Sequence, residues 1–266
     1  MRVAAASGPG ERSVERQVAF ALAGVLVLYA LARLAFGPVP QPPSYHLLAD
    51  GRILAGAVPH AGDVLTNLSI LAAGLLALAL GPRMNVSPAE RPAVLLLIAG
   101  TFLTAAGSAY YHWAPGNATL VWDRLPMMLT IPPVLVLVLA DRVDPRFARA
   151  ALSPFVVFAT TSVVWWAASG AMGREDALLY LMVRVLMPLA ILLLVLLRPS
   201  RHTASGWLVA AIVCEGAAFL FERFDHQTYA ATGGIASGHN LKHVVVAVAL
   251  ACVFAWLRFR RPCKAV

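Results

Sequence analysis

Apolar runs recur along the chain at about 17–36, 64–81, 92–112, 121–140, 151–170, 176–197, 206–223 and 239–257. Each approaches the roughly 17–25 residues that an α-helix needs to cross a hydrocarbon core. Helix-breaking residues separate them: Pro38, Pro40, Pro42 and Pro43 after the first run, Gly81-Pro82 after the second, Pro115-Gly116 after the third and Gly233-Gly234 before the last. The pattern predicts an all-α protein, a polytopic membrane helical bundle of eight spans with both termini on one side. The connector at about 37–62 is longer than linkage requires, and loops of that size often carry function.

Composition agrees with the pattern. Hydrophobic residues make up 60% of the 266 residues and charged ones 13%, about half the share in a soluble domain. The formal net charge of +8 does not point to nucleic acid, because the basic residues form no continuous patch and lack interleaved aromatics. They mark span ends instead. Arg2, Arg12, Arg16, Arg83, Arg91, Arg142, Arg146, Arg149, Arg198, Arg201, Arg258, Arg260, Arg261 and Lys264, 14 of the 21 basic residues, fall on the terminal side. The positive-inside bias makes that side cytoplasmic. The first run follows Arg12 and Arg16 like a signal peptide, but Arg33 interrupts the cleavage region, so an uncleaved anchor is expected. Cys214, Cys252 and Cys263 show no paired spacing, which predicts neither a disulfide framework nor a cysteine metal site.

Against this apolar background a few polar residues stand out. Ser108 and His112 close the third run, Asp123 lies near the start of the fourth, and His239 and His243 open the last. All fall on the predicted non-cytoplasmic face. Ionisable groups at such positions are costly and are functional candidates. Residues four apart share a helix face, so Ser108 looks the same way as His112, and His239 the same way as His243. Two imidazoles at that spacing with a third from another helix make the open three-ligand arrangement of catalytic zinc, which can bring the pKa of a water to about 7. Asp123 is then a candidate general acid/base, and Ser108 a donor to a developing oxyanion.

Taken singly, each residue has a plainer explanation. A histidine near the interface can be a wet polar tip, Ser108 a small packing residue between helices, and Asp123 an acid at a helix N-terminus. Convergence of all five on one membrane face is what those explanations lack. Elsewhere, His46, Asp50 and Arg52 in the long connector either cap the site or belong to an ordinary loop. Arg184 with Glu215 or Glu222 reads as a buried ion pair that fixes packing. Asp225 and His226 are candidates for orienting a ligand imidazole.

The stretches Gly107-Ser108-Ala109-Tyr110-Tyr111-His112, Asp123-Arg124-Leu125-Pro126-Met127 and His239-Asn240-Leu241-Lys242-His243 resemble the alkaline ceramidase family, one of a group of seven-helix membrane hydrolases that includes adiponectin-receptor-like proteins. Asp63-Val64-Leu65-Thr66-Asn67 is similar to the start of that family's first core helix. The resemblance implies a tail and additional transmembrane helix at 1–36, a non-cytoplasmic loop at 37–62, a seven-helix hydrolase core at 63–257 and a basic cytoplasmic tail at 258–266. It implies zinc on His112, His239 and His243, with Ser108 and Asp123 serving hydrolysis of the amide in a ceramide-like membrane lipid. No obligate protein partner is implied. The family's acidic N-terminal calcium site corresponds here to Asp50, His60 and Asp63, without an acidic run, and the family's usual DELPM reads DRLPM. Competing readings are a metal-free Ser108–histidine–Asp123 hydrolase, and a non-enzymatic receptor, sensor or metal transporter with a structural metal site.

Overall fold

The computed structural model describes residues 9–263. Arg2 and Lys264, two of the basic residues used to orient the chain, lie outside the described residues. Eleven α-helices account for most of the fold: α1 Pro9–Phe36, α2 Ala61–Leu80, α3 Arg91–Trp113, α4 Asn117–Met127, α5 Ile131–Arg142, α6 Phe147–Ala150, α7 Leu152–Ala171, α8 Leu178–Leu197, α9 Gly206–Arg223, α10 Asp225–Ala231 and α11 Gly238–Phe259. Isolated bridges at Leu54–Val58 and His202–Pro262 are the extended pairing among the described residues. The protein is a multi-pass, all-α membrane bundle. Among the described residues seven stretches are long and apolar enough to cross a bilayer: 10–36, 61–83, 91–113, 117–142, 147–171, 178–197 and 238–259. The expected span at 206–223 is the 18-residue helix α9, which carries Glu215, Glu222 and Arg223 and packs along α11.

The fourth run is two helices rather than one. Pro132 and Pro133 follow the break and lack N–H donors, so the chain turns through Met128–Thr130, where Leu129 N–H reaches the Pro126 carbonyl (2.9 Å) and Thr130 N–H reaches Met127 (3.0 Å). The first helix begins at Pro9 instead of near residue 17. Charged residues that hydropathy excludes are still good helix formers.

Between helices in hydrocarbon, association depends on close packing more than on the hydrophobic effect. Gly100 and Gly107 lie on one face of α3, and a methyl group at either would collide with backbone of Leu129 or Trp122. These two positions let α4 and its turn press onto α3, which sets Asp123 beside the end of that helix. On the terminal side, Arg260 grips Glu90 through two 2.8 Å contacts, with the guanidinium fully buried. His202 Nδ1 meets Asp141 at 2.7 Å.

The connector 37–62 folds down over the opposite end of the bundle, with one 3-10 turn at Pro43–His46. Its start is fastened by Asp176, just before α8. Asp176 accepts from Tyr29 (2.8 Å), Arg33 (3.0 Å) and the N–H groups of Val39 (3.2 Å) and Leu178 (3.1 Å). Burial pushes its pKa up, but these donors and the Arg33 charge outweigh burial and hold it below the usual carboxylate value.

A depressed carboxylate stabilises the fold above its unfolded value of about 3.9 and ceases to do so as pH falls through its lower folded value. Thermal unfolding in detergent from neutral to acid pH is therefore expected to decline below about pH 4. Asp176→Asn should lower stability at neutral pH and flatten that acid decline. An unchanged acid slope in the variant would exclude this role.

Candidate metal centre

Three imidazoles meet where the C-terminal end of α3 approaches the N-terminal end of α11. The centroids of His112, His239 and His243 form a triangle with sides of 4.6, 4.9 and 4.9 Å. All three rings are buried, and one ligand-capable nitrogen from each lies within 4.8 Å of the others.

Local sequence explains why α11 begins where it does. Ser237 caps the helix by accepting from Asn240 N–H (2.9 Å), while Asn240 Oδ1 accepts from Ser237 N–H (3.1 Å), a reciprocal capping box. Gly238 is required next, because a Cβ there would strike the Phe221 carbonyl and the Asp225 backbone. Asp225 Oδ1 then accepts the His239 N–H at 2.7 Å, and its Oδ2 accepts Ala49 N–H at 3.0 Å. Asp225 was expected to orient an imidazole. It fixes the ligand's backbone instead, and His226 turns to the Leu47 carbonyl at 3.0 Å.

The hydrogen bonds around His243 assign its tautomer. Thr66 Oγ1 gives its single proton to the Gly62 carbonyl (2.7 Å), so in its 2.9 Å contact with His243 Nδ1 it must accept. Nδ1 therefore carries the hydrogen and Nε2 keeps its lone pair, directed toward Ser108 Oγ at 3.5 Å. An acceptor on the nitrogen turned away from the ion commonly holds a metal-binding histidine in place. His112 Nε2 and His239 Nε2 stand 3.2 Å apart, close to the roughly 3.3 Å between two nitrogens on one tetrahedral zinc-sized ion. The residues thus fit a metal ion: the group can hold one through three neutral imidazoles. Asp123 is not part of that set of ligand atoms, so the three histidines alone leave a tetrahedral position open.

Asp123 is buried in the second turn of α4, facing Ser108. This corrects the reading of Asp123 as a helix N-terminal acid, since Asn117 begins that helix. All five candidate residues are therefore gathered at one end of the bundle.

The connector supplies the outer wall. His46 bridges Tyr111 OH (3.0 Å) and Asn117 Oδ1 (2.9 Å). Tyr45 OH donates to Glu222 Oε1 at 3.0 Å, and Lys242 Nζ reaches the same oxygen at 2.7 Å while lying 3.4 Å from His239 Nε2. Burial, reinforced by the Glu222 carboxylate, pushes the Tyr45 hydroxyl well above its ordinary pKa, so it remains a donor. Arg184 pairs with Glu215 at 3.1 Å, though both side chains are half-buried and not buried as expected, leaving Glu222 to Lys242.

Asp50 belongs to this wall and not to a cation site. Its carboxylate is held by the Arg52 guanidinium (2.8 and 2.7 Å) and by Gly62 N–H (2.8 Å). Burial raises its pKa, and the Arg52 and backbone donors more than reverse that, leaving it below the ordinary value. Arg52 also reaches the Ile235 carbonyl (2.8 Å) and Asn240 (3.3 Å), tying the connector to the cap of α11. Asp63 Oδ1 accepts from Ser237 and Asn240 behind the same cap.

Thr66, Lys242 and Tyr45 were not singled out from the sequence, and Glu222 was read as a partner for Arg184, not for Lys242. Thr66 was within reach: it lies in the stretch Asp63–Asn67, and a hydroxyl in an apolar helix invites a search for an imidazole partner. Tyr45 carried no comparable signal, since only the folded connector brings it to Glu222.

Comparison with protein-family models, with curated proteins and with solved structures returned no match.

Elemental analysis of protein purified without chelator is expected to find about one divalent ion per chain, and His112→Ala, His239→Ala or His243→Ala to lose it. Thr66→Val should weaken metal affinity by about 10–100-fold at unchanged ligand count, as is typical when an outer-shell partner is removed. Equal metal content in all four variants and the parent would contradict the centre.

Proposed function

We propose that the chain is a zinc-dependent intramembrane hydrolase that cleaves an amide in a membrane lipid, most closely a ceramide-like N-acyl sphingoid base. One observation carries the reading: Ser108 Oγ lies 3.5 Å from His243 Nε2 in a buried group of three imidazoles that could hold one ion, and Asp123 is buried beside Ser108. An ion held by these rings would supply Lewis acidity and an activated water near neutral pH.

The chain's own groups account for the remaining chemistry. Asp123 accepts the proton released when water attacks the amide carbonyl, then delivers it to the departing amine nitrogen, so one carboxylate serves as base and acid in turn. Ser108, one helical turn from His112, donates to the carbonyl oxygen as it gains negative charge. Lys242, 3.4 Å from His239 Nε2 and held in place by Glu222 at 2.7 Å, adds an ammonium donor beside the ligand rings. The connector with Tyr45 and His46 limits access of bulk water, which strengthens each of these interactions.

Two features support a lipid substrate. The site lies at the ends of membrane-spanning helices, so a scissile bond near the headgroup can reach it while the acyl chain stays in hydrocarbon. The three polar stretches at 107–112, 123–127 and 239–243 resemble those of alkaline ceramidases in order and content. The excess of basic residues on the terminal side supports cytoplasmic termini and a site near the non-cytoplasmic face. A metal-free serine mechanism has less support, since Ser108 sits inside α3 and not on a strand-to-helix elbow.

Release of fatty acid from a ceramide in mixed micelles is expected from the metal-loaded protein. Asp123→Asn should lower kcat by about 10²–10⁴-fold, and Ser108→Ala by about 10²–10³-fold, both with metal content retained. Lipid turnover that survives complete metal removal, or labelling of Ser108 by a serine-directed phosphonate, would overturn the proposal.

A further inference from the structure

We propose that the groove between α1 and α8 binds one acyl chain of an anionic glycerophospholipid, with Arg198 receiving its phosphate. The cavity there is about 420 Å³ and is walled by four helices, with Leu22 and Val25 of α1, Leu139 of α5, Phe158 of α7 and Ala190 of α8 among its lining residues. It runs along α8 from Val183 to Arg198, about 22 Å at the helical rise. That is more than one leaflet's share of a hydrocarbon core about 30 Å thick, so an extended acyl chain fits end to end.

Three observations select this occupant. First, α1 meets the bundle through its buried residues Val14 and Val18 near its start and through Tyr29 and Arg33 on Asp176 near its end, and the groove opens between the two. A gap of this size within hydrocarbon is filled by lipid, because an apolar cavity does not hold water. Second, the lining is apolar except for Arg198 at one end, which matches the division of a phospholipid into tail and head. Third, Arg198 makes no ion pair or side-chain hydrogen bond among the described residues, while its neighbours are engaged: Arg142 donates to the Arg198 carbonyl at 2.6 Å and Arg201 to the Val143 carbonyl at 3.0 Å. A free guanidinium near the membrane surface favours an anionic headgroup.

The groove's polar end lies at the end of the bundle away from the three histidines, since α8 leaves the connector side at Leu178 and Arg198 follows its last residue, Leu197. The bound lipid would hold α1 to the bundle without being the molecule hydrolysed, and the proposal does not depend on the hydrolase reading.

Full-length protein in mild detergent, analysed by native mass spectrometry and by thermal unfolding after addition of phosphatidylglycerol or phosphatidylcholine, tests this directly. One retained phospholipid per chain, with phosphatidylglycerol preferred and more stabilising, is expected. Arg198→Gln should abolish the headgroup preference with the parent's metal content unchanged. Ala190→Phe, which fills the groove, should remove the retained lipid. Equal retention and stabilisation by the two lipids in the parent, or the same preference in Arg198→Gln, would overturn the proposal. So would a lipid-free dimer dissociated by Ala190→Phe, which would make a second copy the occupant.

Discussion

Three imidazole nitrogens forced together inside an apolar bundle set the terms for everything around them. Two Nε2 atoms 3.2 Å apart repel unless one of them carries a hydrogen and donates it to the other, and protonating both rings would place cations in a medium that cannot solvate them. A shared metal ion removes both difficulties at once. The cost of gathering such groups without one explains why the surrounding protein is so heavily committed to holding them: a capping box, a glycine at a backbone crossing, an aspartate on the His239 amide and a threonine on the His243 ring all act at the first turns of α11 or next to them.

That arrangement is shared between local and distant parts of the chain. Helix periodicity alone puts His239 and His243 on one face and Ser108 on the same face as His112. Bringing α3 to α11 needs the bundle, and aligning Asp123 with Ser108 needs the close approach of α4 that Gly107 permits. The connector then ties both ends of the site together through Asp50, Arg52 and Asp176. Polar groups that would be costly in hydrocarbon are paired within it: Arg184 with Glu215, and Lys242 with Glu222 and Tyr45. These pairs form a lining that reaches from the ligands toward the middle of the bundle.

Much of this was legible in the sequence because membrane helices obey a simple rule. Length and hydropathy located most of the long helices, though the first begins eight residues earlier than expected, and the rarity of charge within them drew attention to the five candidate residues. The break after Met127 was harder to read, since the paired prolines interrupt hydrogen bonding without interrupting hydropathy. Asp225 was assigned to a ring and serves a backbone, because spacing along the chain indicates proximity but not which atom is met. The roles of Thr66 and Tyr45 depend on contacts 177 residues away in sequence, to His243 and Glu222 respectively, and no local pattern encodes those. Arg52 occupying Asp50 likewise emerged only from the folded connector.

X-ray absorption at the metal edge of the purified protein tests most directly whether the three rings share an ion, because the scattering pattern of imidazole is distinct from that of carboxylate or water. The arrangement of His112, His239 and His243 predicts three imidazoles at about 2.0–2.1 Å and one further light ligand, as for an open zinc site. A spectrum with fewer than three imidazoles, or with four ligands all supplied by the protein, would contradict it.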